Sequence, residues 1–337
     1  MNFVGIDLHK KTISLCVVDQ ERKVLDRKRF FCCRPERIEA FFGGLGSFQA
    51  VVEATASYEW LVKLIEPAAD RVVLAHPKKL RIIAESTRKS DKLDAQVLAE
   101  FLALDMIPEA YRPGPRQRAH RVLVRHRHYL RGRLTSVRNK MRRILSDYNA
   151  DRADLFTRVG LTYLAKVQVS QADRFALDQL RAEWETHGGQ LQAAEKRLRE
   201  FAADAPIREA EARAVLDTIP GVGFVTVDVV VSELGDIRRF DSQKKVCAYA
   251  GLAPGGRESA GRSKQLGITK EGSRLLRWVL VEASWQLVYR TSRWRSIFEA
   301  LAKRRGKKRA IVAVARRLLC VMVSMLQTGR KYRPAMV

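Results

Sequence analysis

A chain of 337 residues, 46% hydrophobic and 30% charged, is long enough for two or three domains and apolar enough to bury ordinary cores. Lysine and arginine outnumber aspartate and glutamate 63 to 37, a formal net charge of +26. That is far from the balance of a soluble metabolic enzyme and points to a polyanionic partner. The first eleven residues lack the apolar run of a secretory signal, and no uncharged apolar stretch reaches the ~18 residues a membrane span needs, so the expectation is a cytoplasmic protein with no membrane partner. The cysteines are an odd five, Cys16, Cys32, Cys33, Cys247 and Cys320, with no C-x-x-C spacing. Neither they nor the six histidines, which form no H-E-x-x-H, suggest a disulfide framework or a zinc site.

Phe3 to Asp7, Thr12 to Val18 and Lys23 to Phe30 are β-rich segments between charged turns, a pattern that predicts a three-strand meander. A helix over Pro35 to Leu45, a strand over Gln49 to Glu53, a helix over Tyr58 to Pro67, a strand over Arg71 to Ala75 and a helix over Asp91 to Leu104 follow. Strand and helix alternating after an antiparallel start predict an α/β domain with a mixed sheet, residues 1–110.

The turn-rich Tyr111 to Pro115 marks a boundary, and composition changes beyond it. No acidic residue occurs from Ala110 to Ser146, while arginines crowd in, Arg121, Arg125, Arg131, Arg138 and Arg142 among them. Leu123, Leu130, Val137 and Ile144 recur at heptad spacing, as do Leu134, Met141 and Tyr148, which predicts one long helix with an apolar seam and a basic outer face. Phe175 to Phe201 repeats the spacing through Leu177, Trp184, Leu191 and Leu198, interrupted by Gly188 and Gly189. Residues 111–205 thus form either an antiparallel helical arm or a coiled coil between subunits. The remainder, 206–337, is expected to be all-α: helix, turn and helix around Ile219 to Gly223, a loop from Gly251 to Lys270, then helices over Ser273 to Tyr289 and about Arg309 to Leu326.

Asp7 and Glu53 end predicted strands, and Asp91 and Asp94 stand three apart on one helix face. Four carboxylates from three segments suit hard cations such as Mg²⁺ or Mn²⁺, two of which can clamp both sides of a scissile phosphate. Each acid taken singly is equally a solvated loop residue or a helix cap. The Gly5-Ile6-Asp7 opening also begins phosphate loops of actin-like ATPases, but His9, Lys10 and Lys11 follow where those need small residues. Ile219-Pro220-Gly221-Val222-Gly223 fits either the hairpin of a helix-hairpin-helix module, with Gly221 and Gly223 letting backbone amides approach a phosphate, or a tight turn between packed helices. Between Gly251 and Lys270, serines including Ser259 stand among Arg257, Arg262, Lys264 and Lys270; a hydroxyl there either attacks a phosphodiester or merely contacts one.

These motifs, in this order, resemble the DEDD transposases of the IS one-ten and IS eleven-eleven insertion-sequence family, relatives of the Piv-type DNA invertases. The resemblance rests on Gly5-Ile6-Asp7, Glu53-Ala54-Thr55, Asp91-Lys92-Leu93-Asp94-Ala95, Ile219 to Gly223, Ala248 to Pro254, Glu258-Ser259-Ala260-Gly261 and Lys270 to Arg277, and covers nearly the whole chain. It departs from the family pattern at Glu258, often Gln, and at Ser90, usually Thr. The resemblance implies a RuvC-like, ribonuclease-H-type domain whose Asp7, Glu53, Asp91 and Asp94 bind Mg²⁺, and a C-terminal transposase domain in which Ser259 is the nucleophile. It further implies donor and target DNA as substrates, a guide RNA from the element, a homodimer or a tetramer on DNA, and a location at the bacterial nucleoid. Acid set and serine lie in different domains, so folding or a second subunit must unite them. The competing readings are a Holliday-junction type endonuclease using carboxylates and metal alone, and a non-enzymatic nucleic-acid binding protein.

Overall fold

The computed structural model describes residues 1–55, 57–83, 91–259 and 262–334. The chain divides into two compact units, Met1–Arg112 and Pro113–Val337.

In the first unit, β1 (Asn2–Leu8), β2 (Thr12–Val18) and β3 (Val24–Phe31) form the expected antiparallel meander. Then come α1 (Pro35–Gly43), β4 (Phe48–Glu53), α2 (Glu59–Ile65), β5 (Arg71–Ala75), α3 (Pro77–Ile83) and α4 (Asp91–Ala103). Parallel pairing of β4 with both β1 and β5 completes a mixed five-stranded sheet of order β3-β2-β1-β4-β5. Side chains alternate across a strand, and each face of this sheet has its own cover. Val4, Ile6, Ile13, Leu15, Ala50, Val52 and Leu74 pack with Ile38 and Phe42 of α1 and Leu61, Val62 and Ile65 of α2. The opposite face belongs to α4. Its Ala95 and Ala99 sit with Cys16 and Val18, and its Leu98 and Leu102 with Val51, Val73 and Ala75.

The contact at Gly5 is closer than side-chain packing. A Cβ on Gly5 would overlap the Ala95 carbonyl oxygen and lie 2.5 Å from the Ala99 nitrogen, so the backbone of β1 rests on the backbone of α4. The sequence reading placed these strands and α4 within two residues; it did not anticipate α3.

The second unit opens with α5 (Pro115–Asp147), α6 (Arg158–Lys166) and α7 (Gln171–Ala203). Pro115 follows the extended Gly114 at the start of α5, and the Ser170 hydroxyl accepts from the Asp173 amide at the start of α7. At 33 residues each, the two long helices run about 50 Å. They are antiparallel neighbours within one chain: Arg127 pairs with Glu195 at 2.7 Å and Arg133 with Glu183 at 2.6 Å. Gly188 and Gly189 lie inside α7 without breaking it, their Cα faces open, at ~1 kcal/mol each relative to alanine. At the far end Val137, Met141 and Leu145 close over Leu155, Leu164 and Leu177.

The rest comprises α8 (Ile207–Leu216), α9 (Phe224–Leu234), a 3₁₀ turn at Ile237–Arg239, α10 (Gln243–Tyr249), β6 (Pro254–Ser259), β7 (Arg262–Ile268), α11 (Arg274–Arg290), α12 (Ser292–Arg305) and α13 (Lys307–Thr328). One core joins Val229 and Val230 of α9, Leu276, Leu280 and Leu287 of α11, Trp294 of α12 and Val314, Leu318 and Met322 of α13. α13 is long and apolar enough to cross a membrane, and here its apolar residues are the middle of that core. The stretch read as a loop, Gly251 to Lys270, contains the β6–β7 hairpin, a difference from the all-α expectation. α6, α10 and α12 were likewise not anticipated.

A buried charged cluster ties the base of α5 to α8 and α9. His120 Nε2 lies 2.9 Å from Asp228 Oδ1, which also accepts from Arg213 at 2.6 Å; both His120 and Asp228 are 2% exposed. Arg213 and Arg116 share Glu209, at 2.9 and 2.6 Å. Burial raises the Glu209 carboxyl, and hydrogen bonds from Arg116 and Arg213 more than offset it, holding the group below its ordinary 4.5. A folded-state value below the unfolded one means stabilisation that is complete above ~4.5 and lost as pH falls further. Thermal unfolding followed by circular dichroism from pH 6 to 3.5 should therefore show a fall in Tm that Glu209→Gln flattens.

The sheet–helix contact gives a second test. Gly5→Ala should destabilise by at least the ~1–3 kcal/mol typical of overpacking, because backbone rather than side chain must yield. Gly43→Ala, whose Cβ meets nothing within 4 Å, should stay within ~0.5 kcal/mol in the same urea titration.

Candidate active site

Two of the four acids are set side by side by strand register. β1 and β4 are parallel with Ile6 beside Val52, so Asp7 and Glu53 are the next positions on neighbouring strands. Both fall on the α4 face, two residues beyond Gly5 and Val51 respectively. Asp7 is opposite Ser14 on β2, 15% exposed, and 3.0 Å from His9 Nε2. Glu53 is half-buried at the end of β4, where the chain turns through Thr55. Asp94 is exposed on α4 and immediately precedes Ala95, the residue whose carbonyl abuts Gly5. Asp91 is the first residue of α4; its side chain lies outside the described part of the structure.

The donors placed here, carboxylate oxygens at strand ends and a helix start, are the chemistry that Mg²⁺ or Mn²⁺ prefers. Among the described residues, to which the Asp91 side chain does not belong, no three acidic, histidine or cysteine side chains stand at metal-ligand spacing.

The second feature is the β6–β7 hairpin. Ser259 is the last residue of β6, paired with Arg262, the first of β7. The side chains of Arg257, Ser259, Arg262 and Lys264 lie outside the described part; what is described is how the hairpin is anchored. Gly251 and Gly272 have φ of +69° and +78°. A Cβ on Gly251 would overlap the Glu271 carbonyl oxygen, and one on Gly272 that of Tyr249, so two chain segments cross backbone against backbone. Lys270, also at positive φ, donates its amide to Gly251 O at 3.0 Å, and Thr269 N donates to Ala253 O at 3.0 Å. Arg277 straps the crossing: its Nη1 donates to the carbonyls of Ala250 (3.1 Å), Glu271 (2.8 Å) and Gly272 (3.2 Å). The Gly251-to-Pro254 and Lys270-to-Arg277 motifs are thus one structure, a base for the serine-bearing strand.

Residues 4–150, which include all four acids, match the sequence model of the DEDD transposases of the IS110 group, and residues 213–299, which include Ser259 and its anchor, match that of the transposase IS116/IS110/IS902 family. The chain belongs to this transposase family. Its relatives are distant but collinear. The transposase of insertion sequence IS1111A from Coxiella burnetii is 25% identical over 99% of this chain and 92% of its own length. That of IS1328 from Yersinia enterocolitica is 26% identical over 84% and 83%. The pilin gene-inverting protein of Moraxella lacunata is 24% identical over 98% and 97%. Membership makes the protein an enzyme that cuts and rejoins DNA, with a divalent-metal-dependent, nuclease-like site.

The transposase's arginine-rich helix is less bare than its acid-free sequence suggests. Arg121 donates to the carbonyls of Ser232 and Glu233 at 2.9 Å and to the Tyr249 hydroxyl, and Arg125 pairs with the buried Glu233 at 3.1 Å. Arg142 reaches Asp151 at 3.2 Å. Arg138 lies over Phe156 and beside Trp184, while Arg131 is exposed. The two glycines of the Ile219 turn also differ. Gly221, at φ +80°, is pressed on Gln286 of α11, whereas Gly223 precedes the first turn of α9 with nothing within 4 Å of its Cβ position.

Nothing in the sequence pattern marked Arg277 as the strap of the crossing, or Asp228 and Glu233 as partners of the arm. Arg277→Ala should speed hydrogen exchange at the Thr269 and Lys270 amides by at least tenfold while leaving exchange in the α13 core unchanged, as read by exchange mass spectrometry.

Proposed function

We propose that this transposase recombines DNA by Mg²⁺-assisted (or Mn²⁺-assisted) attack of Ser259 on a phosphodiester. In this reading the first unit is a RuvC-like, ribonuclease-H-type domain in which Asp7, Glu53, Asp91 and Asp94 hold the metal. Bound there, the cation supplies Lewis-acid stabilisation of charge on the phosphoryl oxygens. The Ser259 Oγ forms a bond to phosphorus, loses its proton, and one deoxyribose oxygen leaves as a hydroxyl; the product is a phosphoserine link. Attack by a hydroxyl of another strand end reverses the step and frees the serine. One ester bond is exchanged for another each time, so rejoining needs no external energy source.

The observation that supports the reading is the placement of Asp7 and Glu53 on adjacent parallel strand ends, on the face where α4 brings its acid-bearing first turn. Beyond the chemistry, we assign the basic surface, with Arg131 and Arg138 on the arm and Arg257, Arg262 and Lys264 on the hairpin, to nucleic-acid backbone, which predicts salt-dependent binding. A guide RNA encoded by the element would let base pairing select donor and target. Strand exchange needs two active sites, hence a homodimer or a tetramer on DNA, acting at the nucleoid in the cytoplasm.

The test is recombination between donor and target plasmids bearing the element's own ends, with the flanking non-coding region co-expressed, in parallel with a search for a protein–DNA adduct. Wild type should recombine and form an adduct; Ser259→Ala should abolish both, and Asp7→Ala should reduce recombination by several orders of magnitude. Full activity of Ser259→Ala beside a dead Asp7→Ala would replace the serine mechanism by the carboxylate-and-metal endonuclease. Full activity in both variants would overturn the assignments of Ser259 and Asp7 together.

A further inference from the structure

Cys247 on α10 and Cys320 on α13 face one another with their sulfurs 3.6 Å apart, in hydrogen-bond contact. The two residues are 73 apart in sequence, so the fold alone creates the pair. Cys247 is buried; Cys320 is half-buried and gives the pair an edge toward solvent. One helical turn before Cys320, Arg316 presents its guanidinium to the Cys247 sulfur. The Cys320 hydrogen bond and the Arg316 charge outweigh burial and bring the Cys247 thiol down to about 6, while Cys320, its hydrogen-bond donor, is pushed up. The pair is therefore polarised into a thiolate and a thiol. The other cysteines differ: burial raises Cys16 and Cys32, and Cys33 is exposed with no such partner.

We propose that Cys247 and Cys320 are an oxidation site for hydroperoxides, closing to a disulfide that links α10 to α13. The Cys247 thiolate attacks the terminal peroxide oxygen, the O–O bond breaks, and the alcohol or water leaves with one proton. The resulting sulfenic acid is then attacked by the Cys320 sulfur, which loses its proton as water departs. Two thiols and one hydroperoxide give one disulfide, one alcohol or water and one further water, so the two electrons lost by sulfur are those gained by the peroxide. The location gives the bond a consequence. Three residues past Cys247, the chain enters the crossing of Ala250 and Gly251 with Glu271 and Gly272 that anchors the Ser259 hairpin. A disulfide there fixes the helix that feeds that anchor. This inference stands apart from the serine mechanism.

The test uses the reduced full-length protein treated with hydrogen peroxide, denatured in alkylating agent and mapped by peptide mass spectrometry. The expected result is a disulfide between the peptides containing Cys247 and Cys320, a fall in free thiols from five to three, and full recovery with a thiol reductant. Cys320→Ser should lose the cross-link and leave Cys247 as a sulfenic acid that dimedone traps. Should this variant fail to fold, the wild-type map decides alone. Oxidation confined to Cys33, with Cys247 and Cys320 still alkylated, would overturn the proposal.

Discussion

Everything about the candidate acidic site depends on how closely α4 lies on β1. A side chain at position 5 would hold the helix several ångströms off the sheet. With glycine there and alanines at 95 and 99, helix and strand meet backbone to backbone. That contact is two residues from Asp7 and one residue from Asp94. The short span converts a packing requirement into a positional one: the helix cannot tilt or slide much without driving the Ala95 carbonyl into β1. Leu98 and Leu102 on β4 and β5 prevent the helix from rolling about that point. Asp7 and Asp94 are thus carried beside a small-residue seam whose packing does not involve their carboxylates.

The second unit solves a different problem, a net charge that favours polyanions yet opposes compaction. Its long basic helix is neutralised from a distance. Partners for Arg133, Arg127 and Arg125 lie 50, 68 and 108 residues further on. Two of them come from α7 and one from α9, so the same ion pairs that quiet the charge also align the two long helices and seat them on the core. Buried members such as Glu233 and Asp228 carry a desolvation cost that removing one partner would expose, which makes the base of the arm intolerant of single changes.

These two features explain what could be read from the sequence and what could not. The strands and α4 were legible because alternation and helical spacing are local, and each segment has its own apolar face. The arm was legible from its heptads, although they left open whether the partner helix lay in the same chain; the loop through α6 answers it. The arginine partners were invisible, since nothing local to Arg125 predicts Glu233. α6 and α12 were missed because each buries only a few apolar residues, Leu164 in one and Trp294 and Phe298 in the other. The β6–β7 strands escaped for a deeper reason. Rich in glycine, serine and arginine, they have no alternating pattern.

The backbone crossing at Gly251 and Gly272 shows how the fold anchors the base of the β6–β7 hairpin. Gly251 and Gly272 exclude every side chain from the point of contact, and the Arg277 guanidinium satisfies three carbonyls that the crossing would otherwise leave without donors. Of the described β7 side chains, Ile268 at its end packs on the core. Among the described residues, a Cβ on Gly256 or Gly267, on β6 and β7, would meet nothing within 4 Å. With the crossing fixed at Gly251 and Gly272, the proposed attack of Ser259 on a phosphodiester rests on an anchor built from backbone contacts and the Arg277 guanidinium.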